Sequence, residues 1–166
     1  MLLLPQFLIP DVSALTEEFL KENGIRGIIF DIDNTLVGFR AAKPTEENLA
    51  LFARLREQGI AFAIASNNNK ERVGTFAEGL GISAYHRACK PLGFALWKIR
   101  KEFGLKCKEI ALVGDQIYTD ILGGNCLGMI TVLVDPIDKK ETLLFKIKRA
   151  LEIPIVNLKR RKDARK

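Results

Sequence analysis

Asp31 and Asp33 lie two residues apart at the end of the apolar run Ile28-Ile29-Phe30. On a strand, positions i and i+2 point the same way, so the spacing predicts two carboxylates on one face. Like charges that close repel unless a cation or a proton sits between them. One chemistry that needs such a pair is phosphate-monoester cleavage. It takes a nucleophile in line with the leaving oxygen, an acid to protonate that oxygen, and positive charge on the transferring group. Asp31 is the expected nucleophile, forming an aspartyl phosphate. Asp33 is the expected acid, which then takes a proton from the water that opens the intermediate. Ser66 and the Asn67 backbone N–H are expected to bind phosphate oxygens, and Lys90 to supply a point charge to phosphate and nucleophile. Thr35 is expected to fix the loop that carries the two aspartates. Asp31, Asp33 and Asp115 form the expected Mg²⁺ set, with the first loop contributing a backbone carbonyl. Asp120, five residues beyond Asp115, is expected to orient Lys90 or to hold a metal-bound water.

The elements that must position these residues alternate between strand and helix patterns. Helices are expected over 13–23, 45–58, 70–80, 91–103, 119–125 and 139–151. Strands are expected over 27–32, 60–65, 84–86, 109–113 and 129–134. Thr45 reads as a helix cap with Glu46 and Glu47 in the first turn, and Leu49, Phe52, Ala53 and Leu55 follow a helical period. Residues 60–65 are apolar without interruption, as a strand buried on both faces requires. This alternation predicts an α/β fold, a parallel sheet between two helical layers. Ligands of such sheets bind outside the carboxyl ends of the strands. Asp31, Asp33, Ser66, Lys90 and Asp115 each follow an expected strand.

Four motifs occur in order: DIDNT at 31–35, SNN at 66–68, Lys90-Pro91, and GDQIYTD at 114–120. This set resembles the haloacid dehalogenase-like (HAD) phosphatase superfamily and implies its Rossmann-like three-layer core. The GDQ-x-x-TD motif, Gly123-Gly124-Asn125 and the late segment 146–152 look like subclass IIIA, and in particular like the bacterial group related to mitochondrial phosphatidylglycerophosphate phosphatase. That resemblance implies removal of the terminal phosphate of phosphatidylglycerophosphate. In this superfamily a cap is inserted after the first motif or between the second and third. Asp31 and Ser66 are 35 residues apart, and Ser66 and Lys90 only 24. Helices and strands fill most of both intervals, so a capless site is expected, with 37–44 as a short flap. Phe39, Arg40 and Lys43 make the flap a candidate reader of the leaving group.

The chain has 166 residues, 48% hydrophobic and 28% charged, which suits one domain with a full core. No apolar run nears the roughly 20 residues of a spanning helix. The apolar start at 1–10 holds two prolines and no basic segment, so it is not read as a signal peptide; packing on the core is expected, with contact at a membrane interface as the alternative. Cys89, Cys107 and Cys126 form no CxxC pair, which fits free thiols in a reducing cytoplasm. Cys89, Phe94 and Trp97 are expected to pack inside, His86 to sit at the surface, and Tyr118 to line the site entrance. The net charge is +6, but the last eight residues hold six basic side chains against Asp163, leaving +1 for the rest. Residues 1–158 are therefore expected as the domain and 159–166 as a disordered basic tail, able to touch an anionic membrane at its inner face. The expected substrate is a phosphorylated lipid or small molecule. One alternative is a soluble phosphate ester, such as a sugar phosphate, with the open site completed by oligomerisation. The other is an RNA- or ribosome-binding protein; nucleic acid is disfavoured because the tail has no aromatic residue for base stacking.

Overall fold

The computed structural model describes residues 2–138 and 143–164; the side chains of 143–150 lie outside the description. Its strands are β1 (Phe7–Ile9), β2 (Gly27–Phe30), β3 (Ala61–Ala65), β4 (Ala84–Tyr85), β5 (Ile110–Gly114) and β6 (Ile130–Val134). They form one parallel sheet in the order β1-β6-β5-β2-β3-β4. The helices are α1 (Glu17–Glu22), α2 (Glu46–Glu57), α3 (Lys70–Ala77), α4 (Phe94–Phe103), α5 (Leu122–Leu127) and α6 (Leu143–Asp163). Period-2 alternation divides each strand between two cores. Ile28 and Phe30 of β2 pack with Leu20 of α1, Phe52 of α2 and Phe76 of α3. Ile29 turns to the other face and packs with Leu96 and Ile99 of α4. The result is the expected three-layer α/β/α arrangement. β2 lies between β3 and β5, where the strand order reverses, which is where sheets of this kind bind ligands.

Several boundaries differ from the sequence expectation for identifiable reasons. α1 is capped by Thr16, whose hydroxyl accepts the Phe19 N–H, and Ser13 lies in a 3₁₀ turn before it. On α2 the inward positions are Asn48, Leu51, Phe52 and Leu55, spaced as one helical face; Leu49, one position off that face, is exposed. α4 starts at Phe94 rather than Pro91, because Gly93 has φ +81° and ends the preceding turn. Phe94 is 76% and Trp97 49% exposed, so neither packs in the core as expected. Cys89 is exposed, where a buried thiol was expected.

The apolar start contributes β1, an edge strand paired to β6. Phe7 and Ile9 pack on one core and Leu8 on the other side of the sheet. The last helix was expected over 139–151. Residues 139–142 lie outside the described residues, and α6 runs on through Pro154 to Asp163. The segment from 159 is therefore helical to Asp163, where a disordered tail was expected. Apolar packing sustains it: Ile155 and Val156 meet Leu8 and Leu133. Glu152 meets Ile117, just past the carboxyl end of β5. Lys159 and Lys162 line a surface cavity with Asn23, Pro5 and Ile130 at the amino edge of the sheet. Arg160, by contrast, reaches Asp135, just past the carboxyl end of β6.

Candidate active site

Strand ends bring the sequence motifs together. Asp31 follows β2 and its backbone N–H donates to Val113 O of β5. Asn34, at φ +64°, turns the loop back: its N–H donates to Val37 O, and Asp33 and Val37 form a bridge. Ser66 follows β3, Lys90 lies in the loop after β4, and Asp115 follows β5. Asp31, Asp33, Ser66, Asn67, Lys90 and the flap residue Phe39 line one cleft of about 340 Å³, joined by Asn68, Gln116 and Thr119.

Lys90 is the hub of the floor. Its ammonium lies 3.0 Å from Asp31 Oδ1 and 2.6 Å from Asp120 Oδ1, and all three side chains are buried. Burial pushes the Asp31 carboxyl up to about 6; Lys90 opposes this and Asp120 adds to it. Burial works against the Lys90 ammonium, but Asp120 and Asp31 outweigh it and raise its pKa above the usual lysine value. Asp120 is aimed by a π-helical turn, Ile117–Ile121. Its Oδ2 accepts the Gln116 N–H at 3.2 Å and the Thr119 hydroxyl at 3.3 Å. Gly114 makes room for it, since a Cβ there would lie 2.3 Å from Asp120 Cγ. The turn is tied to α6 through the Ile117 N–H, which donates to Glu152 Oε1 at 2.9 Å.

The carboxylate oxygens of Asp31, Asp115 and Asp120 lie within 4.8 Å of one another. Three buried carboxylates, two of them served by one ammonium, give the hard oxygen donors and the negative charge that a divalent cation fits. Asp33 was expected in the metal set, but its carboxylate is engaged elsewhere. Its Oδ1 accepts from Arg72 Nε at 3.1 Å and Nη2 at 2.8 Å, and its Oδ2 from Asn68 Nδ2 at 3.0 Å. Arg72 and Asn68 thus fix the Asp33 carboxylate at the side of the cleft. Asp120, expected as a supporting residue, joins the cluster instead.

Asn67 does more than offer a backbone N–H. Its side chain accepts the Lys90 N–H at 2.8 Å and donates to Lys90 O at 3.0 Å, clamping the loop that delivers the ammonium. Ser66 Oγ accepts the Asn68 N–H at 3.2 Å and faces the cleft. The Thr35 hydroxyl is buried beside the first loop without a hydrogen-bond partner among the described residues. Tyr118, expected at the entrance, turns away: it lines an apolar pocket with Leu2, Leu122 and Leu158. The flap is short, as its length predicted. Phe39 N–H donates to Asp138 Oδ2 at 2.8 Å, and Arg72 Nη1 donates to Ala42 O at 3.0 Å.

Arg72 is the functional residue that sequence reading missed. An arginine in the first turn of a helix after Asn68-Asn69 carries no signal of its own. Only the approach of α3 to the first loop gives it a partner.

Fold and site together define a HAD-type phosphatase, a phosphoric monoester hydrolase. The chain belongs to the family described as mitochondrial PGP phosphatase, whose model matches residues 1–138. It is 37% identical over 159 residues to the "Probable phosphatase YqeG" of Bacillus subtilis (strain 168), covering 96% of this chain and 92% of that one. It is 30% identical over 171 residues to the chloroplastic/mitochondrial phosphatidylglycerophosphate phosphatase 1 of Arabidopsis thaliana, covering 92% of this chain but 47% of that one. The chain thus spans nearly all of the bacterial relative and about half of the plant one. Among solved structures, a HAD superfamily (subfamily III A) hydrolase from Legionella pneumophila superposes with TM-score 0.52 at 20% identity, covering 77% of this chain and 75% of that one. That likeness supports the fold.

Proposed function

We propose that the protein removes the terminal phosphate of phosphatidylglycerophosphate, giving phosphatidylglycerol, with Mg²⁺ and through an aspartyl-phosphate intermediate. The observation that carries this reading is the meeting of Asp31, Lys90, Asp115 and Asp120 on the cleft floor, with Asp33 held at its side. A relative named for that lipid phosphatase supports the substrate.

Asp31 attacks phosphorus as a carboxylate, the form that prevails at neutral pH for a group near 6. Lys90 holds that carboxylate in place and turns its charge toward the phosphoryl oxygens. Ser66 Oγ and the Asn67 backbone N–H bind phosphoryl oxygens, and Asn67 keeps Lys90 in register. Asp33 protonates the leaving glycerol oxygen and then takes a proton from the water that attacks the aspartyl phosphate. Arg72 and Asn68 hold its carboxylate so that it moves protons without wandering toward the metal cluster. Oxygens of Asp31, Asp115 and Asp120 and a carbonyl of the first loop would hold Mg²⁺, which would supply positive charge next to the transferring group.

The test is phosphate release from phosphatidylglycerophosphate in mixed micelles and from a panel of soluble esters, with Asp31→Asn as control. Preference for the lipid, abolished in Asp31→Asn, is expected. Turnover of soluble esters alone overturns the lipid reading. Activity retained in Asp31→Asn overturns the nucleophile.

A further inference from the structure

The cleft is small and lined almost wholly by polar side chains; Phe39, on the flap, is the large apolar exception. Nothing in it can receive two acyl chains. A diacyl phospholipid acted on here must keep its chains in the bilayer, so the cleft mouth must face the membrane. No helix among the described residues is long and apolar enough to cross a membrane. The contact must therefore come from the surface around the mouth. The basic end of α6 is divided: Lys159 and Lys162 line a cavity at the amino edge of the sheet, and Arg160 is paired with Asp135.

The loop that buries Lys90 displays what does fit. Leu92 N–H donates to Cys89 O at 2.8 Å, so the chain reverses around Lys90 and throws Leu92 outward, 73% exposed. Gly93 lies against Leu127 of α5, and Phe94 after it is 76% exposed. On α4 the inner positions are Leu96 and Ile99. The outer stripe is Phe94 and Trp97, then Lys98 and Lys101 one turn further from the mouth. Lys101 Nζ sits 3.8 Å from the centre of the Trp97 ring. Aromatic and aliphatic groups at the leading edge, with long cationic side chains behind them, are the pattern of a surface that seats in the headgroup region. On the flap, Phe39 lines the cleft and is 39% exposed, and Arg40 beside it is exposed. Clustered exposed apolar side chains of this size mark an interaction surface, and the adjoining cations match an anionic one.

We infer that the protein docks on an anionic phospholipid bilayer through Leu92, Phe94 and Trp97 at the amino end of α4, with the flap as a second contact, so that the cleft opens onto the lipid headgroups. This rests on the lipid reading for its substrate but is tested apart from it. Trp97 is the chain's single tryptophan, so its emission reports the patch directly.

The probe is unilamellar vesicles of equimolar phosphatidylcholine and phosphatidylglycerol. The expected result is a blue shift of Trp97 emission and co-sedimentation. Leu92→Ser with Phe94→Ser should weaken partitioning by about tenfold or more, with hydrolysis of soluble p-nitrophenyl phosphate unchanged. Neutralising Lys159, Arg160, Arg161 and Lys162 to Gln should leave partitioning within about twofold. The inference is overturned if vesicles neither shift Trp97 nor carry down a protein that hydrolyses the soluble ester. It is overturned equally if the α6 variant loses binding while the Leu92/Phe94 variant keeps it. A third contrary result is that Leu92→Ser with Phe94→Ser dissociates a dimer in the absence of vesicles and wild type shows no vesicle binding. Binding by the patch without hydrolysis of phosphatidylglycerophosphate would support docking and remove the substrate reading alone.

Discussion

Replacing Lys90 with methionine isolates the electrostatics of the cleft floor. Lys90 is 1% exposed at its side chain and holds Asp31 at 3.0 Å and Asp120 at 2.6 Å, themselves 8% and 0% exposed. Methionine keeps the stem and removes the charge. It leaves two buried carboxylates unpaired next to a third, Asp115. Breaking a buried ion pair from one side costs about 3–5 kcal/mol, and the upper end is expected here because one ammonium serves two partners. The loss should be largest above neutral pH. At lower pH the stranded Asp31 carboxylate takes up a proton, since it already lies near 6 with the lysine present. The assay is urea denaturation of metal-free protein at pH 5 and pH 8, with Lys90→Met, Asp120→Asn and the double variant. The double variant should recover about 2 kcal/mol or more of the single-variant loss, without recovering turnover. A cost for Lys90→Met below about 1 kcal/mol at pH 8, or additive single effects, would refute the buried-hub reasoning.

The other expectations follow from the same contacts. The folded Asp31 value, about 6, lies above the ordinary aspartate value of 3.8, so native protein holds a proton that unfolded chain lacks between them. This group's contribution is full below pH 3.8 and is lost as pH rises through about 6, about 3 kcal/mol in the metal-free protein. Because Asp31 must shed that proton to bind a cation, Mg²⁺ affinity by calorimetry should fall about tenfold per pH unit below 6; a flat profile from pH 5 to 8 would count against Asp31 as a ligand. Gly114→Ala would drive a methyl into Asp120, costing about 1–3 kcal/mol in thermal denaturation and loosening Mg²⁺ binding. Arg72→Ala removes two charge-assisted hydrogen bonds from Asp33 and one from the flap; a kcat loss of about tenfold or more with a stability loss of about 2 kcal/mol is expected, and Arg72→Lys should restore only part of the kcat.

Much of this fold was legible because parallel strands buried on both faces read as unbroken apolar runs, as at 61–65. Asp31, Ser66, Lys90 and Asp115 were legible because a parallel sheet displays its functional groups just past its strands. Other features needed the third dimension. β1 has three residues and no alternation to announce it; it exists because β6 offers an open edge. Phe94 and Trp97 look like core residues in a helical pattern, and only the seating of Leu96 and Ile99 shows that they face out. The grip of Arg72 on Asp33 joins residues 39 apart, and Asp120 enters the carboxylate cluster through a π-helical turn that no local pattern predicts. The last helix was expected to end at 151, yet packing on Leu8 and Leu133 carries α6 on through Pro154.

The central claim is that Asp31 carries the phosphoryl group. The most direct measurement is acid quenching during turnover of phosphatidylglycerophosphate labelled in its terminal phosphate, followed by peptide mapping. The account predicts label that is stable to acid, labile to base, confined to the peptide containing Asp31, and absent in Asp31→Asn. Steady turnover with no labelled protein, or label on another residue, would contradict it.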